Sequence, residues 1–357
     1  MKILQLIIWT LLLSSSVKAQ NTNFAKALRG HKATVLSLSI DSSGKYLCSG
    51  SYDTDVILWD YNSGKLLKKY TGLSGGIWNI KISPNNKYIA AGSWDNNDNA
   101  RVSSKNCLVL LNLESFDLVK SFSIEPDRYK TLGVIPELDD STTNGISKIS
   151  FNPSGTKLAV ITNRGDLFIW DLKDNFKKRV YWYRDTKHKL IDISPDWKYL
   201  VCTERKRSLT DSCFYFLTMN NNKVVANFDK PAKTVIDIFF SHDMKTIAST
   251  GGNRIKRNEI YIWDIKTQQI KQILIGHSKM VRSVAFSSDD KYLVSVGEDN
   301  LINLWIVSTG DLIGTFTEDN GKELTSVIFS SDDKYIITGS QDMTIKYWNV
   351  NNLINKK

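Results

Sequence analysis

Short apolar runs alternate with polar turns along most of the chain, and a representative stretch lies between Gly276 and Trp305. It contains three runs rich in Val, Leu, Ile and aromatic residues, "MVRSVAF", "KYLVSVG" and "LINLW". Runs of this length and composition, separated by polar turns, predict β-strands. Because three such strands bury too little apolar surface to be stable alone, the stretch is expected to be one unit of a larger assembly.

The same order of strand end, polar turn and new strand recurs seven times. The spacing is about 42 to 47 residues, except for one interval of about 69. A period of about 40–45 residues is typical of four-stranded propeller blades. The seven segments are SIDSSGKYL from Ser39, KISPNNKYI from Lys81, SFNPSGTKL from Ser150, DISPDWKYL from Asp192, FFSHDMKTI from Phe239, AFSSDDKYL from Ala285 and IFSSDDKYI from Ile328.

The predicted third strands also end in related motifs. They are ILWD ending at Asp60, FIWD at Asp171, YIWD at Asp264, NLWI at Ile306 and KYWN at Asn349, with the degenerate forms VLLN at Asn112 and FYFL at Leu217. A fourth apolar run follows each of the first six units, for example KLLKKY at Lys65–Tyr70.

These motifs resemble the WD-repeat (WD-40) family of β-propellers. The resemblance covers nearly all of the chain after residue 19. It implies an all-β fold, namely a seven-bladed β-propeller built from four-stranded antiparallel blades. It also implies a protein that binds other proteins, although a fold by itself does not identify a function.

The resemblance further implies hydrogen-bonded side chains inside individual repeats. Two Gly-His pairs match the start of a WD repeat, and an Asp stands six residues before the Trp of the third strand in the same units. The implied sets are His31, Ser49, Asp53 and Trp59 in the first unit, and His277, Ser295, Asp299 and Trp305 in the sixth. Asp342 and Trp348 hold the corresponding places in the seventh unit, where Asn320 replaces the His.

The seventh unit ends after three strands, at TIKYWNV, and too few residues remain for a fourth. The N-terminal segment NFAKALRGH has the pattern of a fourth strand that runs into a Gly-His start. We therefore expect residues from about Asn21 to Leu28 to complete the last blade. Such closure leaves no gap in the ring and favours a single propeller over residues 20–357.

The first 19 residues have the layout of a secretory signal peptide. A charge at Lys2 precedes an apolar run from Ile3 to Leu13, and the segment ends in the small-residue motif Val17-Lys18-Ala19. We expect cleavage after Ala19 and a periplasmic or secreted protein, with an uncleaved membrane anchor as the alternative. Loss of Lys2 and Lys18 would lower the formal net charge from +10 to +8.

The four cysteines, Cys48, Cys107, Cys202 and Cys213, follow no metal-binding spacing and lie in or beside predicted strands. Burial as small apolar side chains is the simplest interpretation. Cys202 and Cys213 flank one predicted hairpin loop, so a disulfide between them stays open for an exported protein.

Four connections are longer than a propeller requires. They are Asp95–Cys107, Ser123–Gly145, Glu204–Ser212 and Gly251–Glu259. In a WD-repeat propeller, the connections from the second to the third strand and from the fourth strand to the next blade share one face. The clustering of the long connections on that face favours a binding surface.

Two groups of side chains are candidates for contact with a partner on this face. The basic residues Arg164, Arg205, Lys206, Arg207, Arg254, Lys256 and Arg257 would attract an acidic partner, although solvated loops are an equally simple interpretation. Tyr52 and Trp94 each precede a turn Asp, a place that WD-repeat proteins often use for partner contact. Packing of Trp94 beneath the long connection is the alternative for that residue.

The sequence argues mildly against an enzyme. It contains four histidines and no GxSxG, HExxH or P-loop motif. A carboxylate-based glycosidase stays open because its two acids need no local motif, and Asp127, Glu137, Asp139 and Asp140 are the candidates. Nucleic acid is not expected as a partner, because basic and aromatic residues do not alternate as they do on stacking platforms.

The function predicted from the sequence is therefore that of an exported, monomeric interaction scaffold that needs no cofactor or metal. Its partners are expected to be proteins, and acidic ones if the basic residues form one patch. A carbohydrate-directed propeller, as a glycan binder or a hydrolase, is the alternative.

Overall fold

Seven four-stranded antiparallel sheets make up the fold, which is known from a computed structural model of the protein. The structure describes residues 24–94, 107–122, 124, 145–163, 165–181, 188–204, 214–228, 235–251, 258–317 and 320–354. Within these residues the only helix is a single turn, α1 (Asn351–Ile354). The predicted all-β, seven-bladed propeller is confirmed.

Each sheet is one blade, and its strands follow one another from the inner edge to the outer edge. Blade 1 contains β2 (Val35–Ile40), β3 (Tyr46–Ser51), β4 (Asp55–Asp60) and β5 (Leu66–Thr71). Blade 2 contains β6 (Gly76–Ile82), β7 (Tyr88–Trp94), β8 (Leu108–Asn112) and β9 (Leu118–Phe122). Blade 3 contains β10 (Ile146–Phe151), β11 (Lys157–Thr162), β12 (Leu167–Asp171) and β13 (Lys177–Tyr181).

The remaining blades repeat this order. Blade 4 contains β14 (His188–Ile193), β15 (Tyr199–Glu204), β16 (Phe214–Thr218) and β17 (Val224–Phe228). Blade 5 contains β18 (Val235–Phe240), β19 (Thr246–Gly251), β20 (Glu259–Asp264) and β21 (Ile270–Ile275). Blade 6 contains β22 (Val281–Phe286), β23 (Tyr292–Gly297), β24 (Leu301–Ile306) and β25 (Leu312–Thr317). Blade 7 contains β26 (Leu324–Phe329), β27 (Tyr335–Ser340), β28 (Thr344–Asn349) and β1 (Lys26–Arg29).

The first strand of each blade lies at the centre of a closed ring. Consecutive first strands contact each other from β2 through β6, β10, β14, β18, β22 and β26, and β26 contacts β2 again. A central channel lined by these strands follows from this arrangement.

The two ends of the chain meet in blade 7, as the sequence predicts. The strand β1 pairs antiparallel with β28, with Leu28 opposite Ile345 and Arg29 opposite Thr344. The observed strand begins at Lys26, and the part of the prediction that concerns Asn21 to Asn23 lies outside the described residues. Because β1 and β28 are far apart in the sequence, their hydrogen-bonded pairing closes the ring without a covalent link.

The turns between strands define the two faces of the propeller. We call the side with the first-to-second and third-to-fourth strand turns the turn face, and the opposite side the loop face. In every blade the first-to-second turn contains one residue in the left-handed region, with φ between 54° and 67°. These residues are Gly44, Asn86, Gly155, Trp197, Met244, Asp290 and Asp333. Gly, Asn and Asp suit this backbone, whereas Trp197 and Met244 adopt it at a steric cost.

The core consists of seven apolar clusters, each formed where two neighbouring blades face each other. The degenerate fourth unit lacks the third-strand Trp, yet its cluster with blade 5 is filled by other aromatic rings. Phe214 stacks on Phe228 with 4.5 Å between ring centroids and meets Trp263 edge-on at 5.3 Å. Aromatic volume therefore replaces the missing motif in this blade.

Candidate functional site

The central channel has a cavity at each end. The loop-face cavity, of about 590 Å³, is bordered by Tyr52, Trp78, Trp94, Arg282 and Gln341 among others. The turn-face cavity, of about 610 Å³, is bordered by first-strand ends and by the turns that follow them. Both volumes lie within the range of ligand-binding pockets, about 300–1,000 Å³.

A charged cluster lies where the two cavities meet. The ammonium group of Lys148, on β10, lies 3.2 Å from a carboxylate oxygen of Asp192 on β14 and 2.7 Å from one of Asp237 on β18. Burial alone would lower the pKa of Lys148, but the two carboxylates raise it well above its ordinary value. Burial raises the pKa of Asp192, and the charge of Lys148 opposes that rise.

One long side chain thus connects three blades. The first strands of blades 3, 4, 5 and 6 contact each other less extensively than those of the other blades. Lys148 reaches across this wider part of the channel. Asp192 and Asp237 therefore share one ammonium group, and each also borders a cavity of the channel.

Aromatic side chains form one wall of the loop-face cavity. The rings of Trp78 and Trp94 lie 5.7 Å apart at an interplanar angle of 53°. Tyr52 is 51% exposed at the rim of the same cavity. A Cβ on Gly145 would lie 2.5 Å from Cγ of Trp94, so the absence of a side chain there leaves room for the indole.

Charged and polar groups from blades 6 and 7 border the cavity as well. Arg282 Nη2 lies 2.6 Å from Glu298 Oε1. Gln341 donates its backbone N–H to the carbonyl of Glu323, and both residues line the cavity. The loop-face mouth therefore combines an aromatic wall with a polar, partly charged one.

Hydrogen bonds inside the first repeat orient the turn that carries Tyr52. His31 Nδ1 lies 3.1 Å from a carboxylate oxygen of Asp53, and His31 Nε2 lies 2.7 Å from Ser49 Oγ. The indole N–H of Trp59 donates to the same hydroxyl at 2.8 Å. Burial would raise the pKa of Asp53, but the bonds from His31 and from the Lys32 backbone hold it far below its ordinary value.

The sixth repeat contains the same chain of contacts. His277 lies 3.0 Å from Asp299 and 2.7 Å from Ser295 Oγ, which also accepts the indole N–H of Trp305 at 2.9 Å. Burial would raise the pKa of Asp299, but the hydrogen bond and charge of His277 lower it. These four side chains are those that the resemblance to WD repeats implies.

The seventh repeat differs, as the substitution by Asn320 suggests. Asn320 donates to Asp342 at 2.6 Å, and the indole of Trp348 donates to Thr338 at 2.9 Å. Lys346 also contacts Asp342 at 2.7 Å and supplies a positive charge. In the repeat that lacks the His, Asp342 therefore contacts the ammonium group of Lys346.

Of the residues predicted to contact a partner, the structure describes only Tyr52 and Trp94. Tyr52 and Trp94 both border the loop-face cavity. The seven basic candidates Arg164, Arg205, Lys206, Arg207, Arg254, Lys256 and Arg257 lie outside the described residues, as do Asp127, Glu137, Asp139 and Asp140. The strand ends that flank the four long connections all lie on the loop face.

Two further residues of the loop-face cavity, Trp78 and Arg282, escaped the sequence analysis. Each follows the first apolar residue of an inner strand, and the blade repeat points that position into the channel. An aromatic or charged residue at this place, where blade 1 has Leu36, is the signal that would have identified them.

The described cysteines lie in the apolar core. Cys48, Cys107 and Cys202 are buried, and Cys202 is a free cysteine in this structure, whereas Cys213, the other member of the disulfide that the sequence left open, lies outside the described residues. Burial raises the pKa of the Cys202 thiol to about 12. The described residues contain no group of three or more His, Cys, Asp or Glu arranged to hold a metal ion.

Comparison with known proteins identifies repeats at both ends of the chain. The family "WD domain, G-beta repeat" matches residues 22–60, 64–97, 268–305 and 310–349. Residues 98–267, which contain both degenerate motifs, are not among these matches.

Curated relatives share the repeats at low identity. The WD repeat-containing protein SL1-17 of Schistosoma mansoni is 25% identical over 169 residues, 41% of this chain and 53% of the relative. A guanine nucleotide-binding protein subunit beta of Oryza sativa is 31% identical over 144 residues, 40% of this chain and 33% of the relative. The human pre-mRNA-processing factor 17 is 22% identical over 285 residues, 77% of this chain and 43% of the relative. The chain thus spans between a third and about half of these relatives.

Within the described part of the chain, no helix has the length and apolar character needed to cross a bilayer.

Proposed function

Because the chain belongs to the WD-repeat β-propellers, we propose that this protein is an exported interaction scaffold that binds protein partners at its loop face. The observation that carries the proposal is the aromatic wall formed by Tyr52, Trp78 and Trp94 at the loop-face mouth. Large aromatic side chains in partly buried positions dominate the energetics of protein interfaces.

The geometry of the mouth supports a peptide or loop of a partner as the bound element. A cavity of about 590 Å³ accommodates a few side chains, whereas the surrounding face offers room for wider contacts. The Arg282–Glu298 pair and the Gln341 turn supply polar groups opposite the aromatic wall. Apolar anchors surrounded by polar groups are the usual composition of such interfaces.

A second part of the proposal concerns the charge of the partner. Arg205, Lys206 and Arg207 belong to one long connection, and Arg254, Lys256 and Arg257 to the next blade's connection. Both connections leave from loop-face strand ends of neighbouring blades. A concentrated positive charge attracts an acidic partner and accelerates association at low salt.

Export and a monomeric state complete the proposal. The apolar run from Ile3 to Leu13 and the Val17-Lys18-Ala19 ending support cleavage after Ala19. We expect a mature protein that begins at Gln20 and acts in the periplasm or outside the cell. Recovery of a chain that still begins at Met1 from the membrane fraction would favour an anchored protein instead.

The test compares partner capture by matched variants of the mature protein. Partners captured by the wild type are identified by mass spectrometry, and their affinity is then measured with Tyr52→Ala and with Val224→Ala. Val224 is 56% exposed on the outer strand of blade 4 and serves as the control. We expect Tyr52→Ala to weaken binding by about tenfold or more, the effect of losing an interface anchor, and Val224→Ala to leave it unchanged. Equal binding by both variants would refute the loop-face site.

The charge proposal has its own test. Reversal of the six basic residues at positions 205–207, 254, 256 and 257 is expected to slow association with the captured partner and to flatten its dependence on salt. Thermal melting checks that the fold persists. An unchanged association rate would show that these residues do not contribute to partner binding and belong to solvated loops.

A further inference from the structure

We infer that the turn-face cavity binds a small, mainly apolar molecule with a single anionic group, of the chemical class of a medium-chain carboxylate. The cavity lies at the opposite end of the channel from the partner-binding mouth, so this site is additional to the proposed function. The inference rests on the wall of the cavity, on one cation without an ion pair, and on the pairing of the other charges at its base.

The wall of the turn-face cavity is predominantly apolar. Ile40, Ile82, Phe240 and Ile328 each border it and are half-buried, because each packs on its blade core while part of the side chain stays uncovered. A cavity of about 610 Å³ whose wall is mainly apolar and is interrupted by polar and charged groups has the composition of a small-molecule pocket. Water in such a cavity gains little from its walls, so an apolar ligand that displaces it is favoured.

The anionic group of the ligand is assigned to Lys81. This side chain borders the cavity and is exposed within the channel, and no described residue lies within ion-pair distance of its ammonium group. Enclosure by the channel lowers the pKa of Lys81, the charge of Lys148 lowers it further, and Asp192 and Asp237 oppose the decrease. An incoming carboxylate would give this enclosed cation the partner that it lacks.

The pairing of charges at the base of the cavity favours one anion. Lys81 and Lys148 border both cavities, whereas Asp192 borders only the turn-face cavity and Asp237 only the loop-face cavity. Asp192 and Asp237 both bind the ammonium group of Lys148, so Lys81 is the cation that is left without a carboxylate. One unpaired cation favours a ligand with one anionic group.

Acidic residues at the rim of the cavity are already engaged. Asp41 accepts the backbone N–H groups of Lys45 and Tyr46, and Asp333 accepts that of Ser288. His242 pairs with Asp290 at 2.8 Å. These bonds hold the rim carboxylates in the turns, where they leave Lys81 accessible to a ligand.

The test uses 1-anilinonaphthalene-8-sulfonate, an apolar monoanion whose fluorescence rises in an apolar site, with the mature protein. We expect binding of one dye per protein and competition by octanoate but not by 1-octanol. Lys81→Gln is expected to raise the dissociation constant for both anions by about ten- to a hundredfold, the loss expected for one charge-assisted hydrogen bond. The matched control is Lys87→Gln, an exposed lysine of the following turn that does not border the cavity.

Two further variants test which end of the channel binds the ligand. Ile82→Ala is expected to weaken octanoate severalfold while butyrate is little affected, because Ile82 borders only the turn-face cavity. Tyr52→Ala is expected to leave dye binding unchanged. A short apolar peptide with a free C-terminal carboxylate, compared with its amide, shows whether a chain end supplies the same chemistry as a free acid.

Competition by octanoate or by the peptide acid, together with dependence on Lys81, supports the site. Circular dichroism melting establishes that each variant is folded. Absence of dye binding, equal binding by wild type and Lys81→Gln, or equal competition by octanoate and 1-octanol would overturn the inference. Partner capture by Ile82→Ala, which changes a residue that borders only the turn-face cavity, should remain normal, so failure of this site is distinguishable from failure of the proposed scaffold function.

Discussion

Lys26 of the first strand lies opposite Tyr347 of the last strand, so the two ends of the chain are held together in a single blade. The ammonium group of Lys26 also donates to the backbone carbonyls of Tyr61 at 3.0 Å and Asn62 at 2.9 Å, in blade 1. The closing strand therefore contacts both blades that meet at the seam. Any treatment that removes it exposes a strand edge and an apolar interface together.

Removal of the closing strand is expected to destabilise the whole ring. A shortened protein that begins at Arg29 loses Leu28, which is 3% exposed in the cluster between blades 7 and 1. Loss of one buried leucine side chain costs about 2–5 kcal/mol, and we expect the free energy of unfolding to fall by at least this amount. Thermal melting and light scattering measure stability and aggregation. A protein that begins at Phe24 is the control, and equal melting of the two would contradict this role of β1.

The Asp299 carboxylate should make stability depend on acid pH. Its pKa is lowered in the folded protein by His277, so its contribution is fully present above the unfolded value of about 3.9 and is lost as pH falls through the folded pKa. We expect Asp299→Asn to be less stable at pH 7, by about 1–3 kcal/mol, and to lose less stability below about pH 4 than wild type.

Urea denaturation over a pH series measures this difference. Asp117→Asn, which changes an exposed carboxylate on a third-to-fourth strand turn, serves as the control. If Asp299→Asn and wild type lose stability in parallel below pH 4, the His277–Asp299 bond does not contribute as described.

Lys148 should stabilise the wide part of the channel only while its two carboxylates are charged. Lys148→Met leaves Asp192 and Asp237 without their cation, which is expected to cost up to about 3–5 kcal/mol at neutral pH. The cost should shrink at lower pH, because the carboxylates then take up protons. The triple variant with Asp192→Asn and Asp237→Asn is expected to recover part of the loss. A triple variant as unstable as Lys148→Met would show that packing, not charge, dominates.

The left-handed turn residue of blade 5 offers a stabilising change. Met244 has φ 57°, whereas the same place in blade 2 is Asn86 at φ 54°. Met244→Asn should raise the free energy of unfolding by up to about 1 kcal/mol, because Asn tolerates this backbone better. Trp197→Asn at the equivalent place in blade 4 should lower it, since the indole N–H donates to Ser150 at 3.0 Å. Calorimetric melting of both variants checks the opposite signs, and a loss of stability in Met244→Asn would contradict the argument.

Several features of the protein were determined by local sequence pattern. The seven polar turns and their spacing identify the blades, because each blade must reverse the chain at the same places. The N-terminal run before Gly30 identifies the closing strand, since the last repeat lacks its own. The His-Ser-Asp-Trp sets follow the same logic, because a repeated motif implies a repeated local geometry.

Other features depended on the tertiary structure. Lys148, Asp192 and Asp237 lie in three different blades, and only closure of the ring brings the two carboxylates within 3.2 Å of the Lys148 ammonium group. Trp78 and Arg282 likewise occupy ordinary strand positions that become neighbours of one cavity across the channel.

Local patterns specify what each strand does within its own blade, because pairing and burial act over a few residues. The channel is different, since its lining comes from seven separate strands and each contributes only a few side chains. Which charges face each other there depends on the number of blades and on their relative spacing. For that reason the chain alone predicted the propeller, and only the closed ring decided which side chains share its centre.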